Sequence, residues 1–122
     1  MPLYENSGNG TANSFTFYGT NLNLVVAMDI MYAVYSSYTG LRFATKRVYS
    51  RSTTFNGMQV VLDMGTHGGN GIFYFDSALI TITINSSSQG EITFERNGGT
   101  STSDFEAPDG TNIRIIKVVG YL

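Results

Sequence analysis

A chain of 122 residues with a formal net charge of −2, only 13% charged residues and no cysteine is long enough for one core without covalent staples. The missing cysteines remove disulfides, zinc–thiolate sites and thiol catalysis together, and eight Tyr and eight Phe exclude disorder of the whole chain, because disordered chains are poor in aromatics. What remains is a composition in which 50 residues are Gly, Ser, Thr or Asn, the turn vocabulary of an all-β domain.

Residues 1–13 read as a flexible polar arm ahead of a single domain over 14–122. The start lacks the basic stretch and apolar run of a signal peptide, so none is expected. No segment reaches the roughly 18 apolar residues of a membrane helix, so membrane insertion is not expected either. Phe15 and Phe17 alternate with Thr16 and Tyr18 in a short strand ended by Gly19. From Leu22 to Val34 every even position is apolar, which favours one strand over a helix. Thirteen residues would span about 43 Å, so this strand is expected to bend between two sheets or to reach a neighbouring subunit. Both its faces are largely apolar, which points to a subunit interface.

Ser36 to Gly40 reads as a turn, and Leu41 to Arg51 as the returning partner. Met58 to Met64 is the next strand, then a Gly-rich loop over 65–71, a compact strand from Ile72 to Phe75 and a half-buried strand marked by Ile80, Ile82 and Ile84. Asn85 to Gly90 turns into Ile92 and Phe94, Asn97-Gly98-Gly99 turns again, and Pro108-Asp109-Gly110 leads into Ile113 to Tyr121. In that last strand the phase slips: Ile113 and Ile115 share a face, but so do Ile116 and Val118. An extra residue near Ile115–Ile116, a β-bulge, reconciles the two. About eight strands with short turns predict an antiparallel β-sandwich or jelly roll.

The charge is uneven. Arg42, Lys46, Arg47 and Arg51 fall within ten positions, and residues 30–62 hold no acid, so that segment is +4 and the remainder −6. Along a strand Arg42 and Lys46 share one face, Arg47 and Arg51 the other. They read either as edge-strand charges that block aggregation or as a strip for anionic lipopolysaccharide, acidic sugars or an acidic neighbouring subunit. The acidic balance, with a sequence pI near 5.1, speaks against nucleic acid.

Few residues offer chemistry. In the 65–71 loop, His67 and Asn70 are candidate hydrogen-bonders to a ligand, although the loop lacks the Lys-Ser/Thr and following helix of a phosphate loop. Asp104, Glu106 and Asp109 do not match a calcium loop, so no metal and no cofactor are expected. A Ser–His–Asp triad would have to use His67, on a loop too rich in glycine to hold an imidazole rigidly, and no catalytic residue is assigned. The tyrosines near the first hairpin are the better binding candidates: Tyr35 and Tyr38 lie at the turn beside the basic strip and offer a flat ring for a sugar. Tyr32 reads as packed between sheets, and Tyr49 belongs to the same cluster.

The stretch Asp109-Gly110-Thr111-Asn112-Ile113-Arg114-Ile115-Ile116-Lys117-Val118-Val119-Gly120-Tyr121-Leu122 resembles the closing strand of small bacteriophage tail proteins and tail-fibre tip domains, which share the Gly/Ser/Thr/Asn-rich, cysteine-free character. The resemblance implies a non-enzymatic, virion-associated or extracellular homotrimer that recognises a bacterial surface glycan or protein. It assigns no site residue. A free-standing lectin-like carbohydrate binder is the alternative, with a small hydrolase behind it.

Overall fold

The computed structural model describes residues 2–5, 14–36, 40–50, 55, 57–67, 73–101 and 113–122. They form eight strands: β1 (Pro2–Glu5), β2 (Ser14–Tyr18), β3 (Ala27–Ser36), β4 (Gly40–Tyr49), β5 (Met58–His67), β6 (Phe73–Ile84), β7 (Gln89–Ser101) and β8 (Ile113–Tyr121). Two four-stranded antiparallel sheets result, sheet A in the order β1-β8-β3-β4 and sheet B in the order β2-β7-β6-β5. One apolar core lies between them, supplied by Met28, Ile30, Val34 and Val118 from sheet A and by Phe17, Leu62, Ile80, Ile82 and Ile92 from sheet B. Each such side chain is worth about 1.5–3 kcal/mol relative to exposure, which is why the period-two pattern of these strands decides which face turns inward.

The architecture is the expected sandwich. A jelly roll nests its strands in the pairs 1–8, 2–7, 3–6 and 4–5. Here the outer pairs β1–β8 and β2–β7 are present, but β3 pairs with β4 and β5 with β6 as hairpins. The β3–β4 pairing begins at Ser36↔Gly40, so these two strands are joined over only three intervening residues.

Several elements differ from the sequence reading. Residues 2–5, assigned to an arm, are an edge strand on β8; Pro2 is tolerated because it opens the strand at a sheet edge. The long strand from Leu22 is shorter, since Leu22–Leu24 is a 3₁₀ turn introduced by Asn21 at φ 55°. Within it Leu22 and Val25 are buried three residues apart while Leu24 is 58% exposed, the spacing of a 3₁₀ turn rather than of a strand. The ten-residue β3 that follows pairs along its length without leaving sheet A. The separate strands at 72–75 and 80–84 are one, because Asp76 to Leu79 stay paired with both β5 and β7. Asn97 to Gly99, expected to turn, continue β7 opposite Ala78, Ser77 and Asp76.

The bulge in the last strand is present. The β3–β8 register runs Met31↔Lys117 and then Tyr32↔Ile115, which leaves Ile116 as the extra residue. A second bulge occurs in β7, where Leu79↔Arg96 and Ile80↔Phe94 leave Glu95 unopposed. Two polar bridges cross the core. The Tyr32 hydroxyl donates to the Asp63 carbonyl at 2.6 Å. The Asn97 side chain donates to the Ile113 carbonyl at 2.8 Å and accepts from its N–H at 3.0 Å. At Gly90 a Cβ would stand 2.3 Å from Phe17 Cζ and 2.9 Å from the Thr83 carbonyl oxygen, so only glycine lets the buried Phe17 ring lie across its partner strand.

Candidate binding face

Every residue of β3 pairs with β4 in one unbroken register, so that Ser36↔Gly40 propagates to Asp29↔Arg47. Both side chains then point away from the core, because Met28 and Ile30 on either side of Asp29 are buried. Arg47 donates from Nε to Asp29 Oδ1 at 2.7 Å and from Nη2 to Oδ2 at 2.8 Å, a bidentate pair of the strong kind. From β8 the Tyr121 hydroxyl donates to the same Oδ2 at 2.8 Å, and the Arg47 guanidinium carbon lies 4.8 Å from the centroid of its ring. Three adjacent strands of sheet A thus meet in one network.

The electrostatics follow from these contacts. The hydrogen bonds from Arg47, opposed by partial desolvation and helped by Tyr121, hold the Asp29 carboxyl at about 2. The Arg47 guanidinium is pushed upward, first by its bond to Asp29 and then by one to Tyr49. The Tyr121 phenol is raised because its proton is held by Asp29. On the same outward face of β4 stand Tyr49, two residues from Arg47, and Phe43, four residues from it, 63% and 57% exposed, with Tyr121 itself at 39%. The result is a fixed charge pair, neutral as a unit, on a sheet face that also carries exposed rings. Such an arrangement can stack a sugar ring on an aromatic face and exchange hydrogen bonds with its hydroxyls.

The predicted basic strip is divided. Arg47 belongs to the outward network. Arg42 and Lys46 occupy the opposite register of β4, across from Val34 and Ile30, Arg42 exposed and Lys46 half-buried. Tyr35 sits opposite Leu41 at the hairpin end. His67 is the last residue of β5, opposite Phe73, because Gly65 to His67 extend the strand into what reads as a loop. Tyr38, Arg51 and Asn70 lie outside the described residues, as do Asp104, Glu106 and Asp109. Tyr32 is a core side chain, buried and bridged to Asp63.

Sequence reasoning missed Asp29 and Tyr121 as parts of the site. For Asp29 a signal existed: a hairpin closed between Ser36 and Gly40 pairs residues whose numbers share one sum, which brings 29 opposite 47. Tyr121 lies 92 positions from Asp29, and nothing local connects the two. Among the described residues no three His, Asp or Glu side chains come together as a metal site, and no helix is long and apolar enough to cross a membrane. No protein-family model matches the chain, and neither the curated proteins nor the solved structures provide a match.

Proposed function

We propose that the chain is a non-enzymatic structural or receptor-binding module of a bacteriophage tail, a homotrimer that recognises a bacterial surface glycan or protein through the outer face of sheet A. The observation that carries the reading is the Asp29–Arg47–Tyr121 network with Tyr49 exposed next to it and Phe43 exposed further along the same face. Aromatic rings left in water around a pre-organised, neutral charge pair suit recognition. They offer no nucleophile or general base poised for turnover, since the Asp29 carboxyl is held ionised by two partners. The likeness of residues 109–122 to tail-protein closing strands supports the virion setting. A free-standing lectin-like binder is the second reading, favoured by the same rings.

Binding of the full chain to immobilised bacterial lipopolysaccharide and capsular polysaccharides tests the reading, with Tyr49→Ala as the comparison. Removing one stacking ring is expected to weaken binding roughly tenfold or more while the melting temperature stays unchanged. Equal binding by both proteins would remove this face from consideration. The native mass from light scattering separates the two readings, a trimer supporting the tail module and a monomer the lectin.

A further inference from the structure

The two sheets carry opposite charge. The strands of sheet A hold five basic and two acidic residues, a balance of +3, and those of sheet B one basic and four acidic residues, a balance of −3. Of the basic residues, Arg114 and Lys117 lie on β8 inside the sheet and Arg47 is paired with Asp29, while Arg42 and Lys46 lie on the edge strand β4 with no ion-pair partner among the described residues. These two cations stand four residues apart on β4, about 13 Å along a strand. On sheet B, Glu91 and Glu95 stand four residues apart on β7, likewise without an ion-pair partner among the described residues. Glu91 faces outward because Gly90 and Ile92 are buried beside it. Glu95 is the bulged residue of β7 and accepts a hydrogen bond from the outward-facing Thr81 at 3.0 Å. Around them lie Thr81, Thr83 and Thr93, half-buried in the single chain, and the exposed Arg96 next to Glu95.

We propose that the β4 edge of one copy packs on the outer face of sheet B of the next, with Arg42 and Lys46 meeting Glu91 and Glu95. Two cations face two carboxylates and both surfaces belong to one chain, so the occupant is a second copy. Cations in the inward register of an edge strand prevent another strand from pairing flush against it, which disfavours edge-to-edge growth and leaves edge-to-face contact. Such a contact is heterologous. It closes into a ring of three when each copy is turned by about a third of a revolution relative to the last. The contact therefore deepens the proposed trimer, and rests on that part of the proposed function.

Light scattering of the full chain in low and high salt, with three variants, decides the matter. Wild type is expected at three chain masses, about 40 kDa for a chain of 13.3 kDa. The double variants Arg42→Glu/Lys46→Glu and Glu91→Lys/Glu95→Lys are each expected to run as monomers, with association weakened roughly tenfold or more. The quadruple variant that reverses all four charges is expected to recover the wild-type mass, which a misfolded protein would not do. A trimer that persists in both double variants overturns the contact and leaves the oligomeric reading standing. A wild-type monomer in low salt overturns both. Loss of retention on dextran sulfate by Arg42→Glu/Lys46→Glu, with its mass unchanged, assigns the edge to a polyanionic ligand and overturns the contact.

Discussion

Two kinds of polar network hold this sandwich, and they differ in where they lie rather than in what they are made of. One pair of bridges, Tyr32 to Asp63 and Asn97 to Ile113, runs through the interior from sheet to sheet. The other network, Asp29 with Arg47 and Tyr121, lies on the outside of sheet A. The outer network has the stronger partners, an ionised carboxylate and a guanidinium, yet water competes for every one of them and screens the charge. The inner bridges are between neutral groups, but each serves a backbone group that water does not reach freely. Position outweighs chemistry: the inner bridges contribute more to stability than the outer network does.

The comparison presumes that apolar packing closes the sandwich before either network contributes. Gly90→Ala tests that presumption most severely. Its new Cβ would overlap the Phe17 ring and crowd the Thr83 carbonyl, and Phe17 is fully buried with no room to swing away, so a loss of about 2–3 kcal/mol is expected by urea unfolding. Asn97→Ala comes next. It strips both the N–H and the C=O of Ile113 of their partner, at a cost of about 2 kcal/mol, and Asn97→Asp should not restore it, since a carboxylate cannot donate to the carbonyl. Tyr32→Phe removes one bridge and keeps the ring, for about 1 kcal/mol in the same unfolding measurement.

Asp29→Asn should cost least, about 0.5 kcal/mol at neutral pH, and its signature is in acid. The folded carboxyl sits near 2 against an ordinary 3.8, so the bond contributes fully above pH 4 and is lost as the pH falls from about 4 to about 2. A plot of melting temperature against pH should show this decline in wild type and a shallower one in the variant. If Asp29→Asn costs more than Asn97→Ala at neutral pH, the ranking of inside over outside is wrong.

Much of the scaffold was legible because burial writes itself into sequence as a period of two. Ile80, Ile82 and Ile84 announced β6, and the slip at Ile115–Ile116 announced a bulge whose extra residue is Ile116. The 3₁₀ turn at Leu22–Leu24 was hidden because its residues happened to keep the even-position pattern of the strand after it. Asn97-Gly98-Gly99 has turn composition, but pairing with Asp76 to Ala78 overrides local preference. The site was less legible than the fold. Arg47 stood out as a base among bases, while its role depends on which residues the register brings opposite it, a property of pairing and not of neighbourhood.

The position of β8 also sets an order of events. It is the last strand in the chain, yet it lies inside sheet A between β1 and β3. During synthesis the β3–β4 hairpin can close early, and the inner edge of β3 then waits for residues 113–121, a delay of several seconds at roughly 5–20 residues per second. Throughout that interval the nascent chain displays an unpaired apolar strand that any other extended segment can occupy. Completion of the sandwich is therefore a late, long-range step, and a cell making this protein in quantity has reason to keep its chains apart, or its chaperones near, until the final strand emerges.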